Sequence, residues 1–392
     1  MIDSKHLVQF LPKEFEYLTK TDKIVCNDTK LKTCYIINLM NELIVKYYFT
    51  NEIYFNLYSL ILRRKYTHLY HKYLDYVVST KFLSLVSKHY TGKKACTYKL
   101  NIDFLDNVIR VKVYDTILLK KYKKEYIEES ITEYVKSPIP VEIRKKLVKD
   151  LYSVKLDYKK ALDYLISIRK SGEIDEIKFN KNYCSIENIS SDNIFFKFDS
   201  FGRIHTNFTV LKKEIRNNFL SIDGEELCEV DIKNSQPFFL SLLMKDEMML
   251  EKLESKEIKR YFDLVKLGLV YDDLQQRYSE LIDRDDAKQL IYRVFFGPNR
   301  ENKKECKMFR KVYPEIYDFI CEYKSMNKNY RCISHMLQFM ESRFIFKGVI
   351  RELMNKHPEI KIITVHDSLL YQCRYKEIVE GIFYKQLNKL YI

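Results

Sequence analysis

Residues 362–371 read IITVHDSLLY, and this stretch decides the fold. Two apolar runs rich in strand-forming residues flank His366 and Asp367, which is the pattern of two short strands joined by a tight turn. Burying the Asp367 carboxylate between apolar strands costs free energy unless a partner or a metal ion compensates its charge. The stretch therefore predicts a hairpin whose aspartate has a counterpart elsewhere in the chain.

A second strand that ends in an aspartate occurs earlier, in LCEVDIKNSQPFFLSLLM. Residues 227–232 read as a short strand, and a buried helix is expected from about Pro237, because proline is favourable in the first turn of a helix. If Asp231 and Asp367 meet at one sheet edge, they repel each other unless a cation lies between them. A pair of divalent metal ions is the usual solution where phosphoryl groups are transferred. The alternative is two unrelated carboxylates that each cap a turn.

The remaining segments predict a mostly helical α+β protein with an antiparallel sheet. Residues 193–209 alternate and contain turn residues, so strands are expected there. Helical periodicity dominates residues 41–78, 140–172, 252–331 and 335–357, and tyrosines in the first of these are expected to be core residues.

Composition favours a nucleic-acid partner. The 392 residues include 68 Lys and Arg against 54 Asp and Glu, for a formal net charge of +14. Such an excess suits nucleic acid first and an acidic membrane surface second, and the alternative is a solvated lysine-rich surface. The 32 Tyr and 24 Phe also suggest AT-biased coding, which inflates these residue types.

The cysteines and the hydropathy pattern predict a soluble intracellular protein, in the cytoplasm of a host cell if the source is a virus. The nine cysteines are scattered without a Cys-x-x-Cys pair or zinc spacing, so free thiols in a reducing compartment are expected. Neither a signal-peptide core nor an apolar run of membrane-spanning length occurs.

A third motif lies in RDDAKQLIYRVFFG, residues 284–297. Arg284, Lys288, Tyr292 and Phe296 are spaced four apart, and on a helix each such step turns by only about 40°, so the four form one stripe. Cations followed by aromatic rings suit a nucleotide, whose triphosphate and base need these partners. The alternative is an amphipathic helix with a solvated basic end.

In this order, the three motifs resemble those of family-A DNA polymerases. That family carries Asp-x-Ser-Gln-x-Glu, then Arg-x3-Lys-x3-(Phe/Tyr)-x3-Tyr-Gly, then Val-His-Asp-Glu. Three weaker stretches fall in the family's order: GRIHTNFTVLKKEIR is similar to its primer-template grip, VYPEIYDFI to its Phe-Pro-x-(Val/Ile) stretch, and MLQFMESRFIFKGVI to its palm helix beginning with Gln. The resemblance covers about residues 195–392.

The resemblance implies a right-hand architecture with an antiparallel palm sheet, helical fingers and a helical thumb. It places a helical accessory domain in residues 1–100, a thumb-like region in 101–195 and the palm in 196–392, with fingers inserted at about 242–330. No Asp-x-Glu pair opens a strand in the first half, so a proofreading exonuclease is not expected.

Two departures concern the choice of sugar. Aligned without a gap, Gln236 falls where the DNA polymerases carry the glutamate that blocks a ribose 2′-OH; aligned on Ser-Gln, two residues are inserted. Ser368 replaces the second acid of the Val-His-Asp-Glu motif, as in phage-type single-subunit RNA polymerases. Phe296 replaces the usual tyrosine before glycine. A bulky Gln236 is still expected to obstruct the 2′-OH.

The resemblance also implies residue roles. Asp231 and Asp367 would hold two Mg²⁺ ions, with Mn²⁺ as an alternative, and Lys288 would complete the catalytic set beside the phosphates. The implied nucleotide-binding residues are Arg284, Tyr292, Phe296, Gly297, Gln236 and Ser235. The implied nucleic-acid contacts are Arg203 and Arg216 on the backbone and Gln338 and His366 at the primer terminus, and His205 is also expected to bind nucleic acid.

The expected function is template-directed nucleotidyl transfer, as a DNA-directed DNA polymerase that extends a primer 3′-OH with dNTPs. Expected partners are a DNA primer-template, dNTPs and replication accessory proteins, with no membrane contact and a monomeric chain. Two alternatives remain: a single-subunit RNA polymerase or primase, and a non-catalytic nucleic-acid-binding protein on a polymerase-like scaffold.

Overall fold

The structure is a computed structural model that describes residues 6–26, 28–88, 95–124, 137–300 and 302–391. It is mostly helical with small antiparallel sheets, so the predicted α+β class is confirmed. The described strands are β1 (Leu7–Pro12), β2 (Lys23–Cys26), β3 (Thr29–Lys32), β4 (Tyr54–Leu57), β5 (Leu83–Ser87), β6 (Cys96–Leu100), β7 (Val108–Val113), β8 (Val154–Leu156), β9 (Phe196–Phe198), β10 (Ile204–Thr206), β11 (Leu220–Ile222), β12 (Glu225–Val230), β13 (Ile362–Val365) and β14 (Ser368–Gln372).

Helices account for most of the remaining described residues. They are α1 (Thr33–Thr50), α2 (Ser59–Tyr66), α3 (Tyr70–Ser79), α4 (Thr116–Lys123), α5 (Val141–Leu151), α6 (Tyr158–Lys170), α7 (Glu176–Ser190), α8 (Asn207–Val210), α9 (Lys213–Phe219), α10 (Ser235–Glu247), α11 (Leu250–Leu253), α12 (Lys256–Leu267), α13 (Val270–Arg277), α14 (Arg284–Phe296), α15 (Lys304–Val312), α16 (Pro314–Met326), α17 (Cys332–Ser342), α18 (Arg351–Lys356) and α19 (Lys376–Tyr391). Short 3₁₀ turns cover Lys13–Lys20, Ile102–Leu105 and Cys373–Tyr375, and a π-helical stretch, Arg343–Ile350, joins α17 to α18. Within the described ranges, every helix is too short or too polar to cross a lipid bilayer.

The chain folds as two compact units, neither of which is continuous in sequence. Unit 1 comprises Met1–Val135, Leu151–Lys197 and His205–Glu226, and unit 2 comprises Lys136–Asp150, Phe198–Ile204 and Leu227–Ile392. The predicted division into residues 1–100, 101–195 and 196–392 concerned functional roles and stays a prediction.

Unit 1 has its core around α1, most of whose apolar residues are buried. β1 pairs with β7 in antiparallel register, and a separate small sheet has the order β4-β6-β5. The helical prediction for residues 41–78 is therefore wrong at β4, whose partner β6 lies some forty residues further on and leaves no local signal. The prediction that tyrosines there serve the core is confirmed at Tyr48, Tyr66 and Tyr73.

Unit 2 contains the hairpin predicted from IITVHDSLLY. β13 pairs with β14, and β14 pairs on its other side with β12, all antiparallel. Both faces of the β13–β14 hairpin are covered, since all residues of these two strands are buried. α10 follows β12 with its first ten residues buried, which is typical of a helix enclosed by protein on all sides. The helices predicted between residues 252 and 331 and between 335 and 357 are confirmed as α12–α16 and α17–α18.

The expectation that all cysteines are free thiols is wrong for two of them. Cys228 in β12 and Cys373, which directly follows β14, form a disulfide with Cα atoms 4.9 Å apart. The pairing of Leu227 with Gln372 brings the two cysteines together across adjacent strands, although 145 positions separate them in sequence. Because of this separation, no spacing motif in the sequence predicts the disulfide.

Candidate active site

The two aspartates predicted to meet lie at the same end of two paired strands. Val230, the last residue of β12, pairs with Leu369, the second residue of β14. Asp231 therefore leaves β12 at the edge where Asp367 enters β14 through the hairpin turn. Asp231 is exposed and Asp367 is half-buried, so solvent can reach both residues.

Both aspartates are next to, or within three residues of, a non-glycine residue with positive φ. His366 has φ 56° in the hairpin turn, and Asn234 has φ 53° just before α10. Such backbone conformations cost free energy, and they cluster where the surrounding structure holds a functional side chain in place. The Ser368 hydroxyl donates to the Val365 carbonyl oxygen at 3.0 Å, which fixes the turn that carries Asp367.

The local charges set the protonation of Asp367. Burial raises its pKa above the usual range, and the negative charge of Asp231 raises it further. The backbone N–H of Asp367, the Ser235 hydroxyl and the Arg203 guanidinium act in the opposite direction. The two carboxylates are thus close enough to repel each other, which is the condition that a bound cation relieves.

The donor set fits Mg²⁺ held jointly with a substrate. Carboxylate oxygens are the ligands that Mg²⁺ prefers, and protein sites often supply only one or two of them while substrate phosphates and water supply the rest. Among the described residues, no group of three or more His, Cys, Asp or Glu side chains could hold a metal ion alone. A metal ion on Asp231 and Asp367 alone would need its remaining ligands from water or from a bound phosphate.

A third carboxylate, which sequence reasoning missed, lies buried in the same unit. Glu341 of α17 is 2% exposed and accepts hydrogen bonds from the Arg203 guanidinium, at 3.3 Å to each oxygen, and from the Gln236 amide at 3.0 Å. Burial raises the pKa of Glu341 to about 7, against the opposing charge of Arg203, and Asp367 adds to the rise. The only sequence signal was an isolated glutamate in a helix otherwise rich in apolar residues.

A tight turn places Arg203 opposite Glu341. The Asp199 carboxylate accepts from the backbone N–H groups of Phe201 and Arg203 at 2.9 and 2.8 Å. Gly202 has φ 90°, and a side chain there would overlap the Ser342 hydroxyl. Because Ser342 directly follows Glu341, the loop and α17 can approach this closely only with glycine at position 202.

Ring stacking joins the same loop to α17 at His335, about one and a half helical turns before Glu341. The Phe201 ring lies on the His335 ring with centroids 4.1 Å apart and an interplanar angle of 20°. Gln338, predicted at the primer terminus, is half-buried on α17 between His335 and Glu341. The loop therefore contacts α17 at two places, through Phe201 on His335 and through Arg203 on Glu341.

Three of the four residues in the predicted stripe on α14 lie against one another in a row. The Lys288 ammonium lies 5.7 Å from the centroid of the Tyr292 ring, and the Tyr292 and Phe296 rings lie 5.2 Å apart. Burial raises the pKa of Tyr292 to about 12, and the charges of Asp367 and Glu341 contribute to the rise. The hydroxyl of Tyr292 thus lies within electrostatic reach of the carboxylates of Asp367, in the hairpin turn, and of Glu341, on α17.

Arg284, at the start of the stripe, is tied to the segment after Asp231. It donates to the Asn234 side-chain oxygen at 2.9 Å and to the Gly268 carbonyl oxygen at 3.3 Å, and it pairs with Asp272 at 3.4 Å. Its guanidinium also lies 5.1 Å from the Tyr271 ring centroid. Half of its side chain remains exposed, so a phosphate can still approach it.

The end of α14 is held by a buried lysine that sequence reasoning missed. Lys324 of α16 is 4% exposed and donates to the carbonyl oxygens of Val294 and Gly297, at 2.7 Å each. Burial lowers the pKa of Lys324 to about 8. A side chain at Gly297 would overlap the Arg293 carbonyl oxygen, which accounts for glycine after Phe296.

The other predicted nucleic-acid contacts lie in different places. His366 is exposed in the hairpin turn of unit 2, and His205 is exposed on β10 in unit 1. Arg216 belongs to unit 1, is buried, and donates to the Leu211 carbonyl oxygen. This bond ties Arg216 to the loop before α9, and its predicted contact with a DNA phosphate stays a prediction.

Sequence comparisons assign no family to this chain. No protein-family model matches it, and no curated protein matches it in sequence.

Proposed function

We propose that unit 2 carries a template-directed nucleotidyltransferase site, and that its reaction is extension of a primer 3′-OH by dNTPs. The observation that supports this most directly is the convergence of three distant segments. The β12 end supplies Asp231, the hairpin turn supplies Asp367, and α14 supplies a cation and a tyrosine whose hydroxyl senses the Asp367 charge. The right-hand architecture and the family-A relationship are part of this proposal.

The proposed chemistry needs little covalent work from the protein. When bound, Mg²⁺ would lower the pKa of the primer hydroxyl and offset charge on the triphosphate and the leaving pyrophosphate. Asp231 and Asp367 would hold the metal, and Lys288 and Arg284 would orient the phosphates through charge-assisted hydrogen bonds. Positioning and fixed charges then supply most of the rate enhancement, as is general for phosphoryl transfer.

Gln236 and Glu341 bear on the choice of sugar. The acid absent from the segment after Asp231 is present nearby on α17, because Glu341 accepts the Gln236 amide at 3.0 Å. This bond holds a bulky side chain in one orientation on α10, next to Ser235. A Gln236 side chain held by Glu341 supports discrimination against a 2′-OH. The enzyme would therefore prefer dNTPs to NTPs.

The test is extension of a labelled primer-template by the full chain, with and without Mg²⁺ and with dNTPs or NTPs. Asp231→Asn and Asp367→Asn each keep side-chain size but remove a metal-binding charge, so we expect extension to fall by at least about a thousandfold. Primer-template binding, followed by fluorescence anisotropy, should change little, because neither aspartate attracts DNA.

The matched control is Asp246→Asn, which removes an exposed carboxylate from the end of α10 in the same unit. It should extend primers at the wild-type rate. Extension by Asp367→Asn at that same rate would overturn the two-metal assignment. Wild-type use of NTPs in preference to dNTPs would replace the DNA polymerase proposal with the RNA polymerase alternative.

A further inference from the structure

A pocket in unit 1 lies outside everything assigned to the active site. It has a volume of about 540 Å³ and is lined by β1, α1, α2, α4 and the end of α7 with the residues that follow it. That volume is within the range of small-molecule sites. All of its lining residues belong to unit 1, so the pocket is a property of that unit alone.

The charge of the lining favours an anion. Among the described residues, Arg64, Lys65, Lys121 and Lys124 line the pocket together with one carboxylate, Glu42. Lys65 pairs with Glu42 at 2.9 Å, which offsets that carboxylate. Lys121 is held in place by donating to the Lys65 carbonyl oxygen at 2.7 Å. Arg64 and Lys124 lie exposed at the pocket, where an arginine fork and an ammonium suit a phosphate group.

Besides these cations, the pocket is lined by neutral side-chain amides. Gln9 is 3% exposed; its amide nitrogen donates to Asn38 at 2.6 Å, but its carbonyl oxygen has no hydrogen-bond partner within the described part of the chain. Asn41 uses its oxygen to accept from the Phe10 N–H, which leaves its amide nitrogen for another acceptor. Buried polar atoms normally have partners, so the unpartnered Gln9 oxygen favours a ligand that brings a hydrogen-bond donor.

Together these features select one class of ligand. Amides pair with the donor and acceptor edge of a nucleobase, and Tyr122, which is half-buried in the lining, offers a ring for its face. The cations suit the phosphate of the same molecule. We propose that this pocket binds a nucleoside phosphate, either free or as the 5′-phosphorylated end of a strand.

Binding is measured on the full chain by isothermal titration in EDTA, so that the carboxylates of unit 2 hold no metal. The probes are AMP, ribose 5-phosphate, inorganic phosphate, and a short single-stranded oligonucleotide with and without its 5′-phosphate. We expect AMP to bind more tightly than ribose 5-phosphate or phosphate, because only AMP presents a base to the amide wall. Tighter binding of the 5′-phosphorylated oligonucleotide than of AMP would identify a strand end as the ligand of the pocket. Tighter binding of AMP would identify a free nucleotide.

The decisive variant is Arg64→Gln/Lys124→Gln, which removes two exposed cations from the pocket. Its control is Arg63→Gln/Lys120→Gln, which removes two exposed cations from the same helices at positions outside the lining. AMP affinity should fall by at least about tenfold in the first and less than about twofold in the second. Circular dichroism and thermal unfolding confirm that both variants fold.

Equal losses in the two variants would show general charge attraction and overturn the proposal. So would equal binding of AMP and inorganic phosphate, or no AMP binding at concentrations up to about 5 mM. These outcomes are read without metal and without primer extension, so they are independent of whether unit 2 catalyses nucleotidyl transfer.

Discussion

At the scale of single residues, the sequence located the paired aspartates but not the groups that tune them. Asp231 and Asp367 could be predicted because each follows an apolar strand pattern and strand pairing is a local rule. Glu341 and Arg203 could not, since their ion pair joins positions 138 residues apart and its burial depends on how α17 and the Asp199–Arg203 turn pack. Charged residues are ordinarily exposed, so sequence alone offers no reason to bury this pair.

Glu341 gives a residue-scale prediction about pH. Its pKa is raised in the folded state to about 7 from 4.5, so between these values the folded protein holds a proton that the unfolded chain has released. The free energy of unfolding therefore falls as pH rises through this window, by on the order of 3 kcal/mol for this group. Glu341→Gln cannot titrate, so the stability of the wild type relative to this variant should be greater at about pH 5 than at about pH 8.

Urea unfolding across that pH range measures the difference. Glu247→Gln, at an exposed position on α10, controls for the loss of one negative charge. A difference between wild type and Glu341→Gln that stays constant with pH would show that Glu341 does not carry the raised pKa.

At the scale of elements, periodicity identified the long helices and the β13–β14 hairpin, but it missed strands whose partners are distant. α14 was predictable because its apolar positions repeat at helical spacing and Asp283 caps its first turn through a reciprocal bond with Asp286. β4 was not, because a four-residue strand between two helices gains its stability from pairing with β6. The Cys228–Cys373 bond was missed for the same reason.

That disulfide predicts a redox-dependent stability of the sheet that carries Asp367. A cross-link between positions 145 apart restricts the unfolded chain, and a loop of this size corresponds to roughly 5 kcal/mol by chain entropy. Reduction should therefore lower the urea midpoint of the wild type. Cys228→Ser/Cys373→Ser should already have the lower midpoint and should not respond to reductant.

Thiol titration of the denatured protein supplies the direct check. Seven cysteines are free in the structure, so seven thiols should react before reduction and nine after it. Nine reactive thiols in the unreduced wild type would contradict the disulfide, and a midpoint unaffected by reductant would contradict its contribution to stability.

At the scale of the whole molecule, the order of helical and strand-like segments predicted the α+β class, but no sequence feature predicted two interleaved units. Unit 2 recruits residues 136–150, far upstream of its main segment. There α5 supports the strand before Asp367, since the Asp150 carboxylate accepts from the Ile362 N–H at 3.0 Å and Lys146 donates to the Ile360 carbonyl oxygen at 2.8 Å. Such pairings over more than 200 positions leave no trace in local composition.

The interleaving predicts that the 196–392 segment does not fold alone. Without α5, the buried N–H of Ile362 loses its partner, and the unit loses the buried side chains of Ile143 and Leu147. We expect a 196–392 fragment to bind a hydrophobic dye and to lack a cooperative urea transition. A 137–392 fragment, which includes α5, should unfold cooperatively. Cooperative unfolding of the shorter fragment would show that α5 is dispensable for this unit.

The net charge of +14 predicts how DNA affinity depends on salt, because this charge acts over the whole molecule rather than at one site. A protein that neutralises DNA phosphates releases condensed counterions, so its affinity falls as a power of the salt concentration. With about six phosphate contacts, affinity for a primer-template should drop roughly a thousandfold between about 50 and 200 mM salt. Asp367→Asn should keep this slope, since it changes the chemistry at the strand ends and not the field that attracts DNA. Anisotropy titrations at several salt concentrations measure the slope, and binding that is independent of salt would show that the basic excess is only a solvated surface.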